Sequence, residues 1–314
     1  MVEQAGLQVT VGVCTFRRPE ALQQTLDSLA QQSWPHSAFE IVVVDNDVQC
    51  SAQAQVERFG QTVGALCVRY AVEPGRGVSH VRNQCVALAR GEWLAFIDDD
   101  EVASPDWLAN LMTAQRHFSA DVVLGPVNTV WPAHAPAWLR ALSRGTAYAG
   151  MLTGTVVPPG LGGCGNVLMR VADVRARGTE PFKAALSLTG GEDGELFNWL
   201  RQQGAKIVWC SEAVADEHQP ASRLRLGYHL HRSLQFATVH WRGEYRKLGL
   251  LRSIPKAAAG AGLGLACLPL GGVLFQVRPA QGAKLLMTGM RGAGRLLALF
   301  GVLVPGYGTG NDAT

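Results

Sequence analysis

Trp93-Leu94-Ala95-Phe96-Ile97 followed by Asp98-Asp99-Asp100-Glu101 is the stretch on which the reading of this chain turns. Five apolar residues predict a buried strand, and four consecutive carboxylates predict the point where it leaves a sheet. Like charges packed at an apolar strand end repel one another and lose water, so they need a cation or a hydrogen-bond network to meet them. Asp98 and Asp100 form a D-x-D pair of hard oxygen ligands of the kind that suits Mg²⁺ or Mn²⁺. The competing reading is an acidic loop that opens the next helix, with Ser104 as its cap and Pro105 in its first turn.

Upstream, residues 7–14 predict a first strand, with Thr15-Phe16-Arg17-Arg18-Pro19 as the loop at its carboxyl end. Pro19 then opens a helix whose apolar face is Leu22, Leu26 and Leu29. Residues 39–44 predict a second strand ending at Asp45-Asn46-Asp47, and residues 65–70 a third. Glu73-Pro74-Gly75-Arg76-Gly77 leads into a helix over 78–89; beyond the acidic stretch a helix is expected over 104–118 and a short strand over 122–124. Strands alternating with helices predict an α/β fold, a mostly parallel sheet covered by helices on both faces. Such sheets bind ligands at the carboxyl ends of their strands, where Thr15, Asp45 and the Asp98 cluster all fall. No G-x-G-x-x-G follows the first strand, and Gly75-Arg76-Gly77 lacks the last glycine, which argues against a dinucleotide oxidoreductase.

Between residues 131 and 165 the periodicity fades and Trp, Pro and Gly accumulate, predicting the loop-built half of a site, with Trp131 and Trp138 expected in core packing. Residues 166–170 predict a strand. In Thr189-Gly190-Gly191-Glu192-Asp193-Gly194-Glu195 the glycines permit a tight turn that sets a carboxylate at a helix start, facing a cleft. The plain alternative is that Glu192 and Asp193 only cap a helix over 196–203.

With 314 residues and 47% hydrophobic content the chain can build a substantial core, and its net charge of +3 hides an asymmetry. Residues 221–304 carry twelve Lys/Arg against the single acid Glu244, whereas residues 1–220 stand at −7. An acidic body argues against nucleic acid as substrate, and a basic tail argues for an anionic membrane surface as partner. Seven scattered cysteines without a C-x-x-C spacing argue against a disulfide framework or a cysteine zinc site and for a reducing, cytosolic setting. Residues 1–6 have no basic segment, so a cleaved signal peptide is not expected. Residues 257–277 carry no charge and just reach the length of a bilayer span, although glycines and Pro269 weaken it. With residues 284–304 they are expected to form membrane-associating helices, behind a basic helical connector over 221–256 and ahead of a flexible tail over 305–314. The alternative is a soluble helical subdomain capping the sheet.

Thr15-Phe16-Arg17-Arg18-Pro19, Val42-Val43-Val44-Asp45-Asn46, Arg82-Asn83, Phe96-Ile97-Asp98-Asp99-Asp100 and Gly190-Gly191-Glu192-Asp193, in this order, resemble the family 2 glycosyltransferases. Within that family the runs look like the bacterial exopolysaccharide glucosyltransferases of the succinoglycan type. The resemblance covers residues 8–235. It implies a GT-A fold with a catalytic domain over 1–220, a nucleotide-sugar donor such as UDP-glucose, Mg²⁺ or Mn²⁺, and inversion at the anomeric carbon. It further implies a lipid-linked saccharide acceptor at the cytoplasmic face of the bacterial inner membrane.

Carried over residue by residue, Thr15, Arg17 and Asp45 would hold the nucleoside. The segment from Glu73 to Arg82 would lie beside the donor, with the fixed paired donors of Arg82 on a phosphate. Asp98 and Asp99 would face the ribose or sugar, and Asp100, with Asp98, the metal. His218 in Asp216-Glu217-His218 falls where some members place a further metal ligand. Asp193, with Glu192 beside it, would be the general base. Processive members carry Gln-x-x-Arg-Trp, whereas Gln235 here runs to His240-Trp241-Arg242, so single-sugar addition is expected. Two other readings stand beside this one: an inert scaffold of the same fold, and a sugar-phosphate nucleotidyltransferase, whose glycine-rich basic first loop is missing after Cys14.

Overall fold

The computed structural model describes residues 6–142 and 150–304. In chain order the elements are β1 (Val9–Thr15), α1 (Pro19–Ala30), β2 (Phe39–Asp45), α2 (Gln53–Thr62), β3 (Cys67–Val72), α3 (Val78–Leu88), β4 (Trp93–Asp98), β5 (Glu101–Ala103) and α4 (Trp107–Phe118). There follow β6 (Val122–Leu124), β7 (Val127–Val130), α5 (Ala137–Leu142), β8 (Asn166–Arg170), α6 (Val171–Arg175), α7 (Glu192–Gln202), β9 (Ile207–Trp209) and β10 (Ala215–His218). Three long helices close the described chain: α8 (Leu226–Leu248), α9 (Leu250–Val277) and α10 (Pro279–Leu299).

Seven strands form the main sheet in the order β3-β2-β1-β4-β8-β6-β9. All pairs are parallel except those of β8, which runs antiparallel to β4 and β6. Side chains alternate across a strand, so consecutive residues feed two apolar layers. Val9, Val11, Val13, Ile41, Val43, Ala95 and Ile97 pack under α1 and α4 with Leu26 and Trp107. Val42, Val44, Leu94 and Phe96 pack on the other face with Val81, Phe182 and Leu196. The in-register pairs Thr15↔Asp45 and Cys14↔Asp98 bring the carboxyl ends of β1, β2 and β4 to one edge. A second sheet, β5-β10-β7, stands at that edge and pairs Glu217 with Glu101.

Three local expectations are corrected. Residues Glu101–Ala103 are drawn into β5, so α4 starts only at Trp107; Ser104 accepts the Trp107 N–H through its carbonyl and makes no side-chain cap. Helix α7 starts at Glu192 itself, four residues earlier than the apolar spacing indicated. Trp131 and Trp138 are half-buried away from the sheet: both meet the His229 ring of α8, and Trp138 also meets Phe275 of α9.

Helix α9 runs unbroken through Pro255 and Pro269 and folds back on α10 as an antiparallel hairpin. A Cβ on Gly264 would stand 2.8 Å from the Gly289 carbonyl oxygen, and one on Gly292 2.4 Å from that of Gly260. The glycines that weaken the helix in isolation are thus what let the two backbones touch. Helix α10 packs in turn on α8. By length and composition, one helix among the described residues, Leu251–Val277, suffices to cross a membrane. Its Leu263, Leu270, Val273 and Val277 are exposed. Residues 305–314, expected as a flexible tail, lie outside the described residues.

Candidate active site

The edge built by β1, β2, β4 and the start of α7 gathers most of the charged residues singled out in the sequence. Thr15 ends β1 with its hydroxyl donating to Asp99 Oδ2 at 2.8 Å. Arg18, in the following loop, donates to Asp99 Oδ1 at 3.2 Å and to Asp100 Oδ2 at 3.0 Å. Asp99 is buried, and burial pushes its carboxyl up to about 6 against the opposing pull of Arg18. Glu101 is buried as well and held well above the usual carboxylate range, first by burial and then by Asp98 and Asp100. It accepts the Asp98 N–H at 3.3 Å. The backbone of Gly165 presses on this pair: a Cβ there would lie 2.6 Å from Glu101 Oε1 and 3.1 Å from Asp98 Oδ2.

Arg82, on α3, joins the strand edge to the acidic helix start. Its Nη1 donates to Glu192 Oε1, and its Nη2 lies 3.6 Å from Asp98 Oδ1. Glu192 is 3% exposed, its Oε2 has no partner among the described residues, and burial raises its carboxyl against the effect of Arg82. Asp193, one residue on, is half-buried and in no ion pair among the described residues. Its Oδ1 accepts the Gly194 N–H, and its Oδ2 lies toward Gly163, where a Cβ would be 3.6 Å away. Of the two acids, Glu192 is locked and Asp193 is accessible. That asymmetry suits a proton acceptor at Asp193 positioned by a fixed neighbour.

Not every expected residue faces this edge. Asp45 is fully buried and accepts from the Asp47 N–H at 2.8 Å, the Ala52 N–H at 2.9 Å and the Tyr70 hydroxyl at 3.0 Å. Its lone pairs fold the turn after β2. Arg17 turns the same way and donates from Nε and Nη2 to Asp47, at 2.9 and 3.1 Å. Glu73 accepts the Gly75 N–H at 2.7 Å and so shapes its own loop. Asp47 is buried as well, at 3% exposure, and Arg17 neutralises it from the solvent side.

The expected metal set is not brought together. Asp100 carries Arg18 on one side and Arg223 at 3.3 Å on the other, and Arg223 also donates to Glu217. His218 is exposed and meets Asp100 only through the backbone, its N–H donating to the Asp100 carbonyl at 3.2 Å. Among the described residues no three His, Cys, Asp or Glu converge as a cation site. Hard oxygen donors are present, but two guanidinium groups already neutralise Asp100, so the residues as arranged do not fit a divalent cation. Arg18 and Arg223 are the two functional groups that sequence reasoning missed. Arg223 lies 123 residues from its partner, and no local pattern links them.

The family model described as Glycosyl transferase family 2 matches residues 10–172, and the chain belongs to this family. It is a glycosyltransferase of the hexosyltransferase type. It is 34% identical over 257 residues to the succinoglycan biosynthesis protein ExoM of Rhizobium meliloti, covering 81% of each chain. It is 30% identical over 135 residues, 41% of each chain, to a glucosyl-dolichyl phosphate glucuronosyltransferase of Haloferax volcanii. Among solved structures, the mannosyltransferase PcManGT of Pyrobaculum calidifontis, in complex with GDP-Man and Mn²⁺, superposes with a TM-score of 0.64 at 19% identity. That match spans 93% of this chain and 87% of the other and supports the GT-A-like fold.

Proposed function

We propose that this protein is an inverting, non-processive glycosyltransferase that moves one sugar from a nucleotide-sugar donor, UDP-glucose in the first instance, to a lipid-linked saccharide. The catalytic domain spans residues 1–220, and the basic and apolar helices over 221–304 hold it against the cytoplasmic face of a bacterial inner membrane. The observation that carries the reading is the division of labour at the start of α7. Glu192 is pinned by Arg82, while Asp193 beside it has no cation partner among the described residues. Similarity to ExoM over 81% of both chains supports a role in exopolysaccharide assembly.

In this mechanism Asp193 takes the proton of an acceptor hydroxyl as that oxygen attacks the anomeric carbon. The bond from that carbon to the diphosphate oxygen breaks on the opposite face, and the nucleoside diphosphate leaves with the electron pair. Base catalysis of this kind is worth on the order of 10²–10⁴ in rate. In this reading Arg18 and Arg223, paired at the acidic edge with Asp99, Asp100 and Glu217, would exchange part of those contacts for the developing phosphate charge. The Mg²⁺ or Mn²⁺ expected from the resemblance would have to displace Arg18 or Arg223 to reach Asp100. Incubating the full chain with a panel of nucleotide sugars and a polyprenyl-diphosphate-linked saccharide tests the reading. One hexose added per acceptor with inverted configuration is expected; polymeric product or retained configuration contradicts it.

A further inference from the structure

An open cleft of about 320 Å³ lies between α8 and α10, lined by Tyr228, His229, Arg232, Phe236, Met287 and Arg291. Its walls are largely apolar and aromatic, with two guanidinium groups among them. Arg232 is half-buried, stacks on the Phe236 ring at 4.9 Å and donates to Gln235; Arg291 is exposed. Neither forms an ion pair with a carboxylate among the described residues. Burial lowers the pKa of His229, whose Nε2 lies 2.8 Å from the Arg223 carbonyl oxygen, so the positive charge of the cleft comes from the arginines. Phe236 is 62% exposed, a large ring left uncovered beside paired cations.

An anion alone has no use for such walls, and an apolar chain alone has none for two arginines. We infer that this cleft seats the phosphate and the first units of the hydrocarbon chain of a lipid phosphate, the carrier end of the lipid-linked acceptor. The inference rests on the glycosyltransferase reading above and names the site through which its acceptor is held. Guanidinium forks of Arg232 and Arg291 match phosphate oxygens, and Phe236, Tyr228 and Met287 meet the chain.

Two lines of contact tie the cleft to the catalytic edge. Arg232 bonds Gln235, whose Nε2 donates at 2.9 Å to the Thr189 carbonyl, at the head of the turn that carries Glu192 and Asp193. On the other side Tyr228 lies under the Arg223 guanidinium, which holds Asp100. These contacts join the cleft both to the turn before Asp193 and to Asp100. Exposed Leu270, Val273 and Val277 on the neighbouring α9 give the hydrocarbon chain an apolar surface on which to continue into a bilayer.

The test uses the full chain and the Arg232→Gln/Arg291→Gln double variant. Binding is measured to neutral phosphatidylcholine vesicles doped with a polyprenyl phosphate, to the same vesicles doped with phosphatidylglycerol at equal charge, and to inorganic pyrophosphate. The parent is expected to prefer the polyprenyl phosphate vesicles, and the double variant to lose that preference by about tenfold or more. Its phosphatidylglycerol binding, thermal melting and nucleotide affinity are expected to stay near those of the parent. Equal loss on both anionic vesicles overturns the site and leaves general charge attraction. Unchanged binding overturns it too, and so does tight arginine-dependent binding of pyrophosphate alone, which assigns the cleft to a free phosphate. If arginine-dependent polyprenyl phosphate binding is found while the parent transfers sugar to no lipid-linked saccharide, the site stands and the transfer reading fails.

Discussion

Arg82 donates to Glu192 from the interior of the protein and stands 3.6 Å from Asp98 on its other flank. One guanidinium thus ties the end of β4 to the start of α7, elements almost 100 residues apart in the chain. Removing one partner of a buried pair leaves the other uncompensated, which costs about 3–5 kcal/mol. Arg82→Gln is expected to destabilise the protein on that scale in denaturant unfolding, whereas Glu192→Gln, which leaves Arg82 its contact with Asp98, costs less. Equal effects of the two variants would show that Arg82 does not bridge both groups.

Asp99 supplies a pH dependence with a defined sign. Its carboxyl is raised to about 6 in the folded protein from 3.8. The folded state therefore binds this proton more tightly, and the stability it contributes is complete below pH ~4 and lost as pH rises through about 6. At about 1.36 kcal/mol per unit the effect amounts to about 3 kcal/mol. Thermal melting followed from pH 7 to pH 4 is expected to show Asp99→Asn gaining less stability on acidification than the parent. Parallel curves would contradict the buried environment of Asp99.

Arg223→Gln frees one side of the Asp100 carboxylate. With a competing cation removed, Mn²⁺ affinity, read from the electron paramagnetic resonance signal of the free ion, is expected to rise by about tenfold, the equivalent of ~1.4 kcal/mol. An unchanged affinity would show that Arg223 is not what keeps such an ion from Asp100.

Attachment to anionic vesicles is expected to have two parts. Raising salt to 1 M shortens the screening length to about 3 Å and removes the share due to the basic helices. The remainder belongs to the exposed side chains of α9, so changing Leu263, Leu270 and Val273 together to Gln is expected to abolish the salt-resistant share with the fold intact. Binding at high salt equal to that of the parent would contradict this.

Much of the architecture was legible because its signals are local. The run from Trp93 to Glu101, the apolar spacing of Leu22, Leu26 and Leu29, and the glycines before Glu192 each carry their meaning within a few residues. Asp45 and Asp47 show where that legibility stops. Asp45 ends β2 and Asp47 lies two residues beyond it, and both are buried; only the return of the Ala52 N–H and the Tyr70 hydroxyl to one, and of the Arg17 guanidinium to the other, tells their surroundings apart. Arg18 and Arg223 escaped for a related reason, since a surface arginine and an acid-neutralising one are the same letter until the chain folds. The glycines of α9 and α10 read as weakness in one helix and became close packing in two.

Whether Asp193 is the general base is tested most directly by comparing sugar transfer by Asp193→Asn and Glu192→Gln with that of the parent at saturating donor. Asp193→Asn is expected to lower turnover by about 10² or more with nucleotide affinity kept. Glu192→Gln is expected to retain most of its turnover. An active Asp193→Asn beside an inactive Glu192→Gln would rule out Asp193 and move the base one residue earlier.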